Sequence, residues 1–190
     1  MTGNFALPAQ MAPTRFISIP LVGQATFYTC GVAVLQSILF YNGIESRQDI
    51  IELAVGSSPS YGTGIKNMCQ FLNDKGLKSD LAEDLTLHDL KGHIDLGRVV
   101  VCLIQAWNDE PGHDYADTWC DGHYVTAVGY DDERFYFMDP YNIANYAYVE
   151  NDDFLRRWHG INLGVKYINA GIVVTNPSPA YRPGVFTRMP

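Results

Sequence analysis

The sequence predicts an α+β fold, because helical patterns fill its first half and antiparallel strand patterns its second. Three observations carry this prediction. The stretch from Cys30 to Tyr41 is almost wholly apolar, as in a helix buried on all sides. The run at 99–104 is short, rich in Val and continuously apolar, which is typical of a buried strand. Two segments of strand character then flank the turn at 131–133, which indicates a β-hairpin.

The helices of the first half have their own boundary signals. Thr29 stands where a side chain can cap the buried helix, and Gly43 follows its end, where glycine is favoured. A second helix is predicted over 47–55. Apolar side chains at helical spacing from Ile65 onward predict a third helix, which Gly76 stops.

The remaining elements are shorter. A Thr-x-x-Asp capping pattern predicts a helix over 86–94. Beyond the hairpin we expect a strand over 145–149, a helix over 153–159 that carries His159 on its surface, and a last strand over 170–175. The order of these patterns places an N-terminal helical part against a C-terminal antiparallel sheet.

The length of 190 residues fits one domain over 1–190, with an extended lead-in over 1–14 and an irregular tail over 176–190. Apolar residues make up 47% of the chain, which is enough for a substantial core. No internal repeat or linker divides it.

The charge balance restricts the partners. The formal net charge is −8, which disfavours a nucleic-acid partner because phosphates would be repelled. No apolar run approaches the roughly 20 residues that a membrane span needs, and the N-terminus does not have a signal-peptide pattern. The 4 cysteines are too few for a disulfide scaffold, so we expect a reduced, cytoplasmic protein. The oligomeric state is left open.

The hairpin brings a histidine and a carboxylate together. His123 begins its first strand and Asp139 ends its second. With a three-residue turn at 131–133, His123 lies opposite residue 141, and Asp139 is its diagonal neighbour on the same face. A turn with an even number of residues would put the pair on opposite faces. The sequence therefore predicts a His–carboxylate pair at the open end of the hairpin.

Cys30 is the candidate nucleophile for this pair. A thiol at a helix N-terminus lies in the positive end of the helix dipole, and a neighbouring imidazolium would lower its pKa further. The side-chain amide of Gln24 and the backbone N–H of Cys30 could then stabilise an oxyanion. Taken alone, Cys30 fits a packed core residue better than a nucleophile, because free cysteine is often buried.

Several motifs together resemble the papain-like peptidases related to the bacteriocin-processing, double-glycine leader peptidases. The resemblance covers residues 15–175. It rests on Gln24 with Cys30-Gly31, Tyr41-Asn42-Gly43, Gly62-Thr63-Gly64, Gly76-Leu77, the strand at 99–104, Gly122-His123-Tyr124-Val125, Val128-Gly129-Tyr130-Asp131, Met138-Asp139-Pro140, Phe154, Trp158 and Gly160.

The resemblance implies a papain-like fold and a cysteine peptidase that acts on a peptide or protein substrate without a cofactor. It implies Cys30 as nucleophile, His123 as base, Asp139 as the orienting residue and Gln24 as oxyanion donor. Thr29 stands where many relatives have Asp, so cleavage after a double glycine is not part of the prediction.

Three alternatives stay open at the sequence level. An amine could intercept the thioester, which would make the protein an amide-forming acyltransferase. The chain could bind peptides without turning them over. Cys120 and His123 form half of a zinc-ligand pattern, for which no second half is found. Of the other cysteines, Cys69 and Cys102 are predicted in the core, and the loop over 107–122 is predicted to face the substrate.

Overall fold

The computed structural model describes residues 12–108, 110, 112–186 and 188–189, so most of the predicted lead-in lies outside the described residues. The helices of the described chain are α1 (Cys30–Tyr41), α2 (Gln48–Val55), α3 (Ile65–Asp74), α4 (Leu87–Asp95) and α5 (Asn151–Arg157). The strands are β1 (Arg15–Phe16), β2 (Ser79–Ala82), β3 (Val100–Gln105), β4 (Gly122–Tyr130), β5 (Arg134–Met138), β6 (Ala147–Glu150), β7 (His159–Asn162), β8 (Val165–Ile168) and β9 (Gly171–Val174).

The main sheet is antiparallel and has its longest strand, β4, near the centre. The strand order is β2-β9-β3-β4-β5-β6, and β1 also pairs with β4. The pair β7 and β8 forms a separate two-stranded sheet. The start of β4 pairs with β3, where Ile104 lies opposite His123, so His123 stands on a regular element that can position a functional side chain.

Two apolar cores cover the two faces of the sheet. Side chains alternate along β3, so that Val101 and Leu103 join the core under α1, α2 and α3, called the first core. Val100 and Cys102 join the core under α4 and α5, called the second core. Helices precede strands and the sheet is antiparallel, so the predicted α+β class is confirmed.

The helix α1 runs from Cys30 to Tyr41, as predicted, and nearly all its side chains are buried. Gly43 follows it with a φ of 74°, the left-handed conformation that glycine adopts at helix ends. The predicted side-chain cap by Thr29 is wrong. Thr29 occupies the N-cap position, but its hydroxyl bonds to Thr26 and not to the helix.

The turn of the β4–β5 hairpin is one residue longer than expected. Tyr130 pairs with Phe135, which leaves four residues, 131–134, between these partners. With a regular ladder, such a turn would put His123 and Asp139 on opposite faces of the sheet.

A β-bulge restores the predicted arrangement. The pairing shifts by one residue at Val128, and beyond it Thr126 pairs with Met138. Three residues further along β4, His123 therefore has Asp139 as its diagonal neighbour on one face. The predicted geometry is correct, although it is reached by a longer turn and a bulge.

The predicted place of His159 on a helix surface is wrong. The helix α5 ends before it, because Trp158 turns out of the helical conformation. The Trp158 indole N–H donates to the backbone oxygen of Ala170 at 2.9 Å, and its ring stacks on Phe154. His159 therefore begins β7 and is buried.

Candidate active site

Cys30 lies at the N-terminus of α1, at the point where this helix approaches β4. The residue is only 8% exposed, and it lines an open cleft. Gly31, which follows it, allows the helix to approach closely, since a Cβ there would lie 2.7 Å from the Cβ of Thr63. The thiol is thus held in a fixed place with one side towards the cleft.

His123 and Asp139 form a short, buried hydrogen bond. Nε2 of His123 lies 2.7 Å from Oδ1 of Asp139, and the two residues are 6% and 5% exposed. Because Nε2 is engaged with the carboxylate, Nδ1 is the ring nitrogen left for Cys30, whose thiol lies close enough to raise the pKa of the ring. The structure brings the three predicted side chains together in the predicted order.

Burial and charge act in opposite directions on the thiol. Burial raises the pKa of Cys30, but the hydrogen bond and the charge of His123 outweigh it, with smaller contributions from the backbone N–H groups of Tyr124 and Gly31. The net effect is a lowered pKa. The geometry therefore favours the thiolate, which is the nucleophilic form of cysteine.

The imidazole is shifted in the complementary direction. Burial lowers the pKa of His123, but its hydrogen bonds and charge interactions with Asp139 and Cys30 raise it to about 9. The raised pKa keeps the ring protonated well above neutral pH. Together the two shifts favour a thiolate–imidazolium pair.

Asp139 has two further donors, which the sequence did not reveal. The backbone N–H of Tyr141 donates to Oδ1 at 2.9 Å, and the indole N–H of Trp107 donates to Oδ2 at 3.2 Å. The only hint was the position of Trp107 at the end of the β3 pattern. Strand periodicity does not indicate where an indole in the following loop points.

Gln24 lies on a segment that is fixed beside the Asp139 loop. Its backbone N–H donates to the oxygen of Pro140 at 3.0 Å, and the preceding Gly23 oxygen accepts from Gln48 of α2. The side-chain Nε2 donates to Thr26 at 2.8 Å, and Oε1 is buried without a partner. The predicted role of Gln24 as oxyanion donor stays a prediction.

The cleft beside Cys30 has a volume of about 320 Å³. Its walls come from the segment before α1, the loop before α3, the end of the 107–122 loop and β7. The lining residues are Phe27, Tyr28, Cys30, Pro59, Ser60, Tyr61, Gly62, Thr63, Leu103, Trp119, Cys120, Gly122, Tyr124, Ile161 and Asn162. The cleft is open along one side of the thiol, as a site for an extended chain would be.

The other three cysteines lie in different surroundings, and all four are free. Cys102 is buried in β3, where burial raises its pKa. Cys69 is half-buried, packs against the first core, and has a pKa raised by burial and by Asp80. Cys120 is exposed in the cleft. Among the residues with described positions, no group of three His, Cys, Asp or Glu side chains could hold a metal ion.

Within the described part of the chain, no helix is both long and apolar enough to cross a membrane.

An antiparallel sheet that carries His123 and Asp139, packed on a helix that begins at Cys30, defines a papain-like α+β fold. A model of the Peptidase_C39 like family matches residues 16–163, and the chain belongs to this family. Family and fold are those of cysteine peptidases.

Solved structures share this fold at low sequence identity. A C39-like peptidase from Bacillus anthracis is 18% identical, with a TM-score of 0.64 over 86% of this chain and 98% of that one. The peptidase domain of Streptococcus ComA, a bi-functional ABC transporter of a quorum-sensing pathway, is 16% identical, with a TM-score of 0.60 over 83% and 98%.

A double-glycine-motif protease from an AMS/PCAT transporter, solved with its leader peptide, is 16% identical, with a TM-score of 0.55 over 87% and 100%. No curated protein matches the chain.

Proposed function

We propose that this protein is a cysteine peptidase that hydrolyses peptide bonds through Cys30, His123 and Asp139. One observation carries the proposal. A thiol with a lowered pKa lies at an open cleft beside an imidazole, which is itself held by a buried carboxylate at 2.7 Å. A cysteine that served only to pack the core would need neither partner.

The reaction follows from the charges of the resting pair. The Cys30 thiolate attacks the substrate carbonyl carbon, and the carbonyl oxygen becomes an oxyanion beside the backbone N–H of Cys30 and the amide of Gln24. The His123 imidazolium gives its proton to the leaving amine as the C–N bond breaks, which leaves a thioester. Water, deprotonated by His123, then attacks the thioester, and the acid and the free thiol are released.

Asp139 holds the ring of His123 in this mechanism. Its bond to Nε2 fixes the ring orientation and stabilises the imidazolium without taking the proton. Loss of the carboxylate would leave burial to lower the pKa of the imidazole, and the thiolate would lose its counter-ion.

The proposed substrate is an extended peptide or an exposed segment of a protein. The cleft is open at the surface and lined by Phe27, Tyr61, Trp119 and Ile161, which suit the side chains of a bound peptide. The leader peptide bound to the transporter protease of the same fold supports a peptide substrate here. The preferred sequence is not part of the proposal.

The first test is the reactivity of Cys30. Iodoacetamide labelling from pH 5 to 9, with each cysteine followed by mass spectrometry, should show Cys30 reacting far below pH 8, because its thiolate persists there. The His123→Ala variant should lose this advantage, since burial alone raises the pKa of the thiol. Cys120 in the same cleft is the internal reference. If Cys30 is labelled no faster than an ordinary thiol at pH 6, the proposal that Cys30 is an activated nucleophile is refuted.

The second test is turnover. Incubation with a mixed peptide library should give products that gain one water in total, and Cys30→Ala should give none. Added amines that appear in the products would show acyl transfer instead of hydrolysis. A reactive Cys30 with no product of either kind would mean a peptide-binding module.

A further inference from the structure

We propose that Trp107 is a positioning residue for the His123–Asp139 pair, because its indole N–H holds the second oxygen of the Asp139 carboxylate. The inference rests on the proposed function, since it assigns a supporting residue to the same site. The inference goes beyond the proposed function because it names a side chain outside the cleft beside Cys30. This side chain acts on the thiol only through Asp139 and His123.

The bonds of Asp139 show what the indole contributes. Oδ1 already has two partners, Nε2 of His123 at 2.7 Å and the backbone N–H of Tyr141 at 2.9 Å. Oδ2 has the indole N–H of Trp107 at 3.2 Å. Two donors on Oδ1 resist rotation of the carboxylate about its Cβ–Cγ bond, but they hold it at one oxygen only. A donor on the other oxygen fixes that rotation, and with it the line from Oδ1 to the ring.

The indole is itself held in place, and its backbone is strained. Its ring stacks on Tyr141 with centroids 4.4 Å apart and an interplanar angle of 30°. Trp107 has a φ of 64°, in the left-handed region that side chains other than glycine rarely adopt. Strain of this kind persists only where the surroundings determine the conformation, and it is concentrated at functional sites. The indole contacts the Asp139 carboxylate and the Tyr141 ring, and the backbone N–H groups of Ala106 and Asn108 on either side bond to Asp121 and Tyr115.

The indole also stands between Asp139 and a cavity. Trp107 and Asp139 both line a cavity of about 300 Å³ on the second core's side of the sheet. If the indole N–H were absent, water from this cavity would be the nearest donor for Oδ2. A mobile water would satisfy the oxygen but would not fix its orientation.

The charged groups around the pair are few. Cys30 approaches the ring of His123 from α1, and Asp139 approaches it from the end of β5. The cavity behind Asp139 adds Glu150 of β6 with Asp153 and Arg157 of α5, the last two bonded to each other at 2.8 Å. The indole has no net charge, and its N–H dipole alone would weaken the attraction of Asp139 for the imidazolium. A fall in the proton affinity of His123 when the N–H is removed would therefore report the orientation of Asp139.

The Trp107→Phe variant tests this role, since phenylalanine keeps an aromatic ring beside Tyr141 and removes the N–H donor together with part of the indole ring. The titration of the His123 ring is followed by NMR of its nitrogens. In the unchanged protein it should titrate near pH 9. In Trp107→Phe its affinity for the proton should fall roughly tenfold, as for loss of one hydrogen bond to a charged group.

Two comparisons separate positioning from general damage. In an Asp139→Ala background, Trp107→Phe should change the His123 titration no further, because the indole acts only through the carboxylate. Tyr141→Phe keeps both the ring and the backbone N–H, and should leave the titration unchanged. In the unchanged protein, the indole N–H resonance of Trp107 should itself shift as His123 titrates, and this readout needs no variant.

The outcomes are separable from those of the proposed function. The ring titration needs no substrate, so a chain that cleaved no peptide would still test Trp107. An unchanged or raised proton affinity of His123 in Trp107→Phe would overturn the inference. So would an equal effect of the substitution with and without the Asp139 carboxylate.

Discussion

The thiol of Cys30 and the imidazole of His123 depend on each other for their charged forms. Burial opposes the charge on each of them, and each offsets that penalty for the other. Removal of His123 should therefore leave Cys30 a neutral thiol near pH 7, whereas removal of Cys30 should lower the pKa of His123 only in part, because Asp139 still supports the imidazolium. The rate of alkylation is expected to rise as the pH passes the lowered pKa of Cys30. The imidazolium of His123 is lost as the pH passes about 9.

A substitution of Gln24 should separate nucleophile activation from oxyanion stabilisation. We expect Gln24→Ala to lower kcat for peptide hydrolysis by about 10²–10³, the usual cost of one oxyanion donor. Alkylation of Cys30 by iodoacetamide should stay unchanged, because that displacement forms no oxyanion. Steady-state kinetics and labelling rates on the same preparation give the comparison.

An exposed glutamine provides the control for this substitution. Gln70 on α3 bonds only to Asp74 and is exposed, so Gln70→Ala should leave both kcat and labelling unchanged. Equal losses of kcat and labelling in Gln24→Ala would instead mean that Gln24 supports the fold of the Cys30 segment. Its present bond to Thr26 makes this comparison necessary.

At this scale, strand alternation predicted the pairing of His123 with Asp139 correctly only because the longer turn and the bulge at Val128, neither of them foreseen, compensate each other. It could not predict Trp107, because an indole N–H that reaches a carboxylate from a loop leaves no periodic signal. It also could not give the orientation of the Gln24 amide, which depends on a single contact with Thr26.

Among the elements, the helices and strands that fill the cores were predicted well. Short strands that exist only through pairing with a neighbouring strand were missed. The helix α1 can be predicted from its apolar residues alone. The strands β1, β2, β7 and β8 have only two to four residues each, and they exist through pairing with neighbours that the sequence does not show. The turn of the hairpin was one residue too short in the prediction, and the bulge at Val128 was not foreseen.

The contact of β7 with β3 depends on Gly160. A Cβ there would lie 2.7 Å from Cγ of Leu103, which is buried, so that either this side chain or the strand would have to shift. We expect Gly160→Ala to destabilise the fold by about 1–3 kcal/mol through overpacking. Thermal unfolding should show a midpoint lower by about 2–4 °C for each kcal/mol.

Gly92 offers the matched control, because it lies in α4 with no atom within 4 Å of an added Cβ. The Gly92→Ala variant should be unchanged or more stable by up to about 1 kcal/mol, since alanine favours the helix. A Gly160→Ala protein as stable as the parent would contradict the close approach of β7 to β3.

At the scale of the whole molecule, the sheet lies between two cores and contributes side chains to both. Adjacent residues of β3 and β4 serve opposite cores, so neither core can be lost without releasing side chains of the other. This arrangement favours a single folding unit, as the sequence-based prediction of one domain requires.

Unfolding by urea tests this prediction. A Trp107→Phe, Trp119→Phe protein would keep Trp158, which is buried in the second core, as its tryptophan. Its fluorescence and the far-ultraviolet circular dichroism, which reports mainly on the helices, should give coincident transitions. Two midpoints would mean that the core around Trp158 unfolds separately from the layer of α1 to α3.

The bulge at Val128 has a consequence for comparing this chain with others. Gain or loss of one amino acid in the connection at 131–134 would rotate the imidazole of His123 away from its acceptor, unless β4 changed its own length as well. In homologues that keep the His–carboxylate pair, an insertion in this connection should therefore be accompanied by a second change of one residue in β4. An alignment that shows a lone gap in this connection would mark a homologue whose histidine has lost its carboxylate.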